Sequence, residues 1–136
     1  MSTITTTYVG PLATQTPTPI SAHPVVTQAP AFGPTDLFTA ALGSCMLSAV
    51  GFAARQQQFD ITGARVVVKK TLSADHQRVA SFACAFTFEQ PYSPEHRQLI
   101  ERIAKTCPVG NSLSPDVVRT YEFHYLPPPE AGPSLV

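Results

Sequence analysis

The chain has 136 residues, room for one ordinary domain with a real core, and is 43% apolar but only 13% charged, about half the usual charged share. So little charge leaves apolar surface for a subunit interface to cover, and zero net charge without a basic stripe excludes nucleic acid as a partner. Three scattered cysteines, at 45, 84 and 107, argue against a disulfide-stapled secreted fold and for a reducing, cytoplasmic compartment with a free thiol, and residues 1–20 lack the features of a signal peptide.

In chain order, the fragments "TITTTYVG" and "LATQT" alternate weakly around a Gly-Pro turn signal. They predict a β-hairpin or meander, followed by a proline-punctuated loop, "TPTPISAHPVVTQAP". Gly33-Pro34 ends that loop, and Thr35 or Asp36 is the expected cap of a helix running to about Gln57. Leu37 to Ala54 carries no charge, long enough to raise the question of a membrane span. Thr39, Ser44, Ser48 and two glycines within it, with Arg55 and three glutamines following, favour a buried helix over a membrane one, covered on every side.

"ITGARVVVKKTL" reads as a strand and "SADHQ" as its turn. "RVASFACAFTFEQ" alternates cleanly and places Phe82, Cys84, Phe86 and Phe88 on one face. A second helix follows in "SPEHRQLIERIAKTC", with Ser93 as N-cap, Pro94 at the first helical position and Leu99, Ile100 and Ile103 as its buried stripe. Pro108 forces residue 107 out of helical geometry, ends that helix near Thr106 and begins a short one, "PVGNSL". "DVVRTYEFHYL" is the last strand, with Tyr121, Phe123 and Tyr125 on one side. The order predicts an α+β fold in which an antiparallel sheet holds helices against one face. Residues 1–126 form the expected domain, with strands in 1–31 and the helical and sheet core in 33–126, and 127–136 a proline-rich tail with nothing to pack.

The chemistry lies with the thiols. Cys84 shares a face with three phenylalanines and reads as a small core residue. Cys107 occupies the cap of a short helix, where converging N–H groups favour a thiolate. A terminus worth about 0.3–1 kcal/mol shifts a thiol by less than about one pH unit, so the cap alone does not make a fast nucleophile. The bland alternative is a cysteine that tolerates the pre-proline bend. Cys45, inside the long helix beside Gly43 and Ser44, reads alone as structural; only a partner thiol makes it half of a redox couple. His23, His76, His96 and His124 are isolated and lack metal-ligand spacing, and no phosphate loop or serine elbow is present. No cofactor and no metal are expected.

"GPTDLFTAALGSCMLSAVGFAAR" followed about sixty residues later by "TCPVGNSLSPDV" resembles the OsmC/Ohr family, the osmotically inducible and organic-hydroperoxide-resistance proteins, over roughly residues 33–125. The resemblance implies an intertwined homodimer of α+β subunits with antiparallel sheets packed on long central helices. It also implies that Cys45 attacks a small organic hydroperoxide, that Cys107 resolves the sulfenic acid as a disulfide, and that an external dithiol restores both. Such members hold the thiolate with an N-terminal arginine and a glutamate ahead of the long helix. Here the first Lys or Arg is Arg55, and Asp36 is the acidic substitute for the glutamate or simply a helix cap. Arg55 and Arg119 are the candidates for the missing cation. The rival reading is a dimeric module of the same fold that binds a small hydrophobic molecule or acts as a slow thiol sensor.

Overall fold

Short threonine runs broken by glycine and proline build the first of two sheets. The computed structural model describes residues 2–126; the expected tail, 127–136, lies outside the described residues. The chain divides into two units, one ending at Thr39 and the other starting at Ala40. In the first, β1 (Thr7–Tyr8), β2 (Ala13–Thr18) and β3 (Ser21–Gln28) form an antiparallel meander in that order. The expected loop over 16–30 is therefore corrected: most of it is the end of β2 and all of β3. Its prolines are tolerated because Pro17 sits at the register shift between Thr16 and Thr18, and Pro24 lies on a strand paired on one side only.

Helix α1 (Pro34–Gln56) starts before either expected cap. Gly33 holds the N-cap position, its carbonyl accepting from the Leu37 N–H, and Pro34 is the first helical residue. Asp36, at the third helical position, accepts the Gly33 N–H on Oδ2 at 2.8 Å, half of a capping box.

The second unit is a three-stranded sheet in the order β4 (Arg65–Leu72), β5 (Val79–Phe88), β6 (Val118–Tyr125). β4 and β5 are antiparallel, whereas β5 and β6 run parallel, so this sheet is mixed rather than wholly antiparallel. The parallel pair is possible because α2 (Pro94–Ala104) and α3 (Pro108–Asn111) supply the crossover that parallel neighbours require. Ser93 caps α2 as expected, accepting the His96 N–H.

Phe82, Cys84, Phe86 and Phe88 are all buried on the inner face of β5. The parallel register sets Phe86 beside Phe123 and Phe88 beside Tyr125, with ring centroids 4.9 Å and 5.2 Å apart. Each buried phenylalanine contributes about 1.5–3 kcal/mol, so this row dominates the core. Ile100 and Ala104 of α2 cover it together with Leu42, Met46 and Val50 of α1. Gly43 allows the close approach of α1 to β4, since a Cβ there would meet Val66 Cγ1 at 3.3 Å.

α1 departs from expectation in its surroundings. Its covered residues, Leu42, Gly43, Met46, Val50 and Ala54, fall on a single stripe. Ala41, Ser44, Ser48 and Phe52 face outward, and Phe52 is 67% exposed. One chain thus buries one side of a helix that is uncharged from Leu37 to Ala54 and leaves the other open. By length and composition α1 also suits a membrane span, but its covered stripe is part of the sheet's own core.

Candidate active site

The site is assembled from three local decisions of the sequence. Pro108 bends the chain at residue 107, giving Cys107 an extended backbone (φ −72°, ψ 154°) and the N-cap position of α3. Its Sγ accepts the Gly110 N–H at 3.3 Å. The buried stripe of α1 turns Cys45 toward the same short helix, where its Sγ accepts the Val109 N–H at 3.5 Å. The two sulfurs, 62 positions apart in sequence, therefore meet at the first turn of α3, where they accept from the adjacent N–H groups of Val109 and Gly110. Cys45 is half-buried and Cys107 fully buried.

Burial decides the state of Cys107. It pushes the thiol above its ordinary range, and the facing Cys45 sulfur adds to the rise; the Gly110 N–H and the Arg119 charge act in the opposite sense without prevailing. The cap's preference for a thiolate is thus outweighed: desolvation is the larger effect. Cys84 is pushed to about 11, chiefly by burial, with Arg119 again opposing. It lies among the phenylalanines, as its alternation implied.

Arg119 takes its place in the site through tertiary contacts. The alternation of β6 sets it on the inner side with Tyr121, Phe123 and Tyr125. Its Nη1 donates to the Gly110 carbonyl at 2.8 Å, and among the described residues it has no carboxylate partner. Gly110 is needed where it stands, because a Cβ there would sit 2.8 Å from Arg119 Nη1 and 3.2 Å from Cys107 Sγ. Arg55, the other candidate cation, is exposed in the last turn of α1, about 15 Å along the helix axis from Cys45. Asp36 belongs to the other unit, where its carboxylate serves the helix start at Gly33. Among the described residues no three His, Cys, Asp or Glu side chains gather as a metal site.

Two thiols presented to one helical turn, on an α+β scaffold whose long helix backs the sheet, define a paired-cysteine protein. The chain belongs to the OsmC-like protein family, whose model matches residues 27–122. It is similar over 91% of its length to 96% of a solved protein of Psychrobacter arcticus 273-4 described as an osmotic stress induced and detoxification response protein, with 35% identity and a TM-score of 0.83. The fold is shared with the organic hydroperoxide resistance protein OsmC of Legionella pneumophila (16% identity, TM-score 0.70, 91% of this chain and 98% of that one). It is shared too with the organic hydroperoxide resistance protein OhrB of Bacillus subtilis (16% identity, TM-score 0.64, 90% and 98%). No curated protein matches the sequence significantly.

Proposed function

We propose that this protein is a thiol-dependent reductase of small organic hydroperoxides, serving oxidative-stress defence in the cytoplasm. The reading is carried by one observation: the Cys45 and Cys107 sulfurs converge on the adjacent N–H groups of Val109 and Gly110 at the first turn of α3. Cys45 as thiolate attacks the outer peroxide oxygen, the O–O bond breaks, and the alkoxide takes a proton to leave as alcohol while Cys45 becomes a sulfenic acid. Cys107 as thiolate then attacks the Cys45 sulfur, hydroxide departs and is protonated to water, and the two sulfurs share a disulfide. An external dithiol reduces that disulfide by two successive exchanges and is itself oxidised to its disulfide. Membership in the OsmC-like family and the hydroperoxide-resistance function named for the Legionella and Bacillus proteins of the same fold support this chemistry.

The expected result of adding one equivalent of cumene hydroperoxide is an intact mass lower by two hydrogens per chain. Cys84→Ser should leave that loss unchanged, and Cys107→Ser should abolish it. A bond that disappears with Cys84 instead would mean the wrong sulfurs have been paired.

The working unit in this reading is a homodimer, with residues 1–126 as the functional domain. The uncharged outward stripe of α1, Ala41, Ser44, Ser48 and Phe52, supplies the surface that a second copy would cover. Sedimentation equilibrium is expected to return twice the chain mass at micromolar concentration; a monomer there would remove the dimer from the proposal. A specific observation favours the rival binding module or slow sensor: no Lys or Arg precedes Arg55, so no N-terminal cation stands by the thiols. A hydroperoxide reaction no faster than that of free cysteine would decide for the rival.

A further inference from the structure

We propose that Arg119 is the positioning residue of the thiol pair: from β6 it ties down the α3 turn and places its guanidinium charge beside the Cys107 sulfur for the step in which that sulfur must become an anion. The inference rests on the reading of Cys107 as the resolving thiol.

The geometry is local and specific. Nη1 of Arg119 holds the Gly110 carbonyl at 2.8 Å, while the N–H of the same Gly110 points at Cys107 Sγ at 3.3 Å. One residue is therefore gripped on its carbonyl by the cation and on its N–H by the thiol. The point where a Cβ of residue 110 would stand is 2.8 Å from Nη1 and 3.2 Å from Sγ, so guanidinium and sulfur are at most about 6 Å apart. Any residue other than glycine at 110 would push into that space. Gly110 and Arg119 thus act as a matched pair, the absent side chain making room for the incoming one.

Among the described residues, the rest of the surroundings offers no substitute. The titratable groups facing Cys107 are Cys45 from α1, Cys84 from β5 and Tyr121 from β6, and each is neutral or negative. Lys105, two positions earlier, directs its ammonium over the Tyr121 and Phe123 rings at 5.7 Å and 5.9 Å. A guanidinium suits the role because it stays charged throughout the working pH range and presents several donors in a fixed plane. Arg119 uses one of them on Gly110, and among the described residues no carboxylate neutralises it. Its field therefore acts on the sulfur.

The test reads the ionisation of Cys107 and needs no peroxide, so its failure is distinct from failure of the hydroperoxide reductase reading. In the Cys45→Ser/Cys84→Ser chain, Cys107 is the only thiol, and its titration follows from thiolate ultraviolet absorbance against a Cys107→Ser counterpart. Arg119→Gln is expected to move the midpoint up by about one pH unit or more, which is about a tenfold loss of thiolate at neutral pH. Arg119→Lys is expected to recover part of the shift. Gly110→Ala, which leaves the arginine in the sequence but fills its space, is expected to shift the midpoint in the same direction, and decides the matter if Arg119→Gln does not fold. Superimposable titrations for the parent and Arg119→Gln, or for the parent and Gly110→Ala, would overturn the proposal, as would Arg119→Lys titrating like Arg119→Gln.

Discussion

Cys45→Ser is expected to lower the second-order consumption of cumene hydroperoxide by roughly a thousandfold or more, to the level of the buffer, with the fold intact. A hydroxyl in place of the thiol keeps the size of the side chain but removes the nucleophile, and losses of this order follow when the attacking atom itself is taken away. The other two thiols cannot stand in. Cys107 is fully buried, and Cys84 is both buried and held to about 11, so that at neutral pH almost none of it is thiolate. Stopped-flow measurement of hydroperoxide loss, alongside Cys84→Ser as a control, checks the outcome. Activity that survives in Cys45→Ser, or that vanishes in Cys84→Ser, would assign the chemistry to another sulfur. Thermal unfolding of Cys45→Ser should stay close to that of the parent, since Cys45 is half-buried and its recorded backbone partner, the Val109 N–H, can donate to a hydroxyl.

The parts of this site legible in the sequence are those with a local cause. Pro108 dictates the bend at 107 whatever the rest of the chain does, and Ser93-Pro94 dictates the start of α2. Alternation alone put Phe82, Phe86 and Phe88 inward, because a strand side chain has only two directions to take. What was not legible depends on partners remote in the chain. β3 was hidden by prolines that an edge strand and a register shift tolerate. The parallel pairing of β5 and β6 follows from the path of the α2–α3 crossover, which no residue in either strand records. The uncharged run of α1 promised burial on all sides, yet one chain supplies a wall for only one stripe and leaves the rest open. Arg119 sat in the inward phase of the last strand, as "VRTYEFHY" implies, but its importance depends on meeting Gly110, a tertiary contact. The state of Cys107 turned on magnitude: a helix cap acts by less than about one pH unit, whereas burial can act by several.

Cys107→Ser is expected to convert catalytic turnover into a single round. With a dithiol such as dihydrolipoamide present, hydroperoxide consumption should end within a few equivalents per chain, about one forming the sulfenic acid and any further ones adding oxygen to Cys45 rather than closing a disulfide. Intact mass distinguishes the two fates, a gain of oxygens against a loss of two hydrogens. Sustained turnover in this variant would show that the dithiol reduces the sulfenic acid directly and that Cys107 is dispensable. The parent protein carries a pH signature of the same step. Because the Cys107 thiol is raised, its thiolate is scarce at neutral pH and grows about tenfold for each unit of pH below its midpoint, so disulfide closure should accelerate as pH rises. The facing Cys45 sulfur contributes to that rise while it bears charge. Oxidation to the neutral sulfenic acid removes the charge on Cys45, while burial, the larger cause of the rise, remains. A closure rate that stays flat or falls as pH rises from 6 to 8 would break this account.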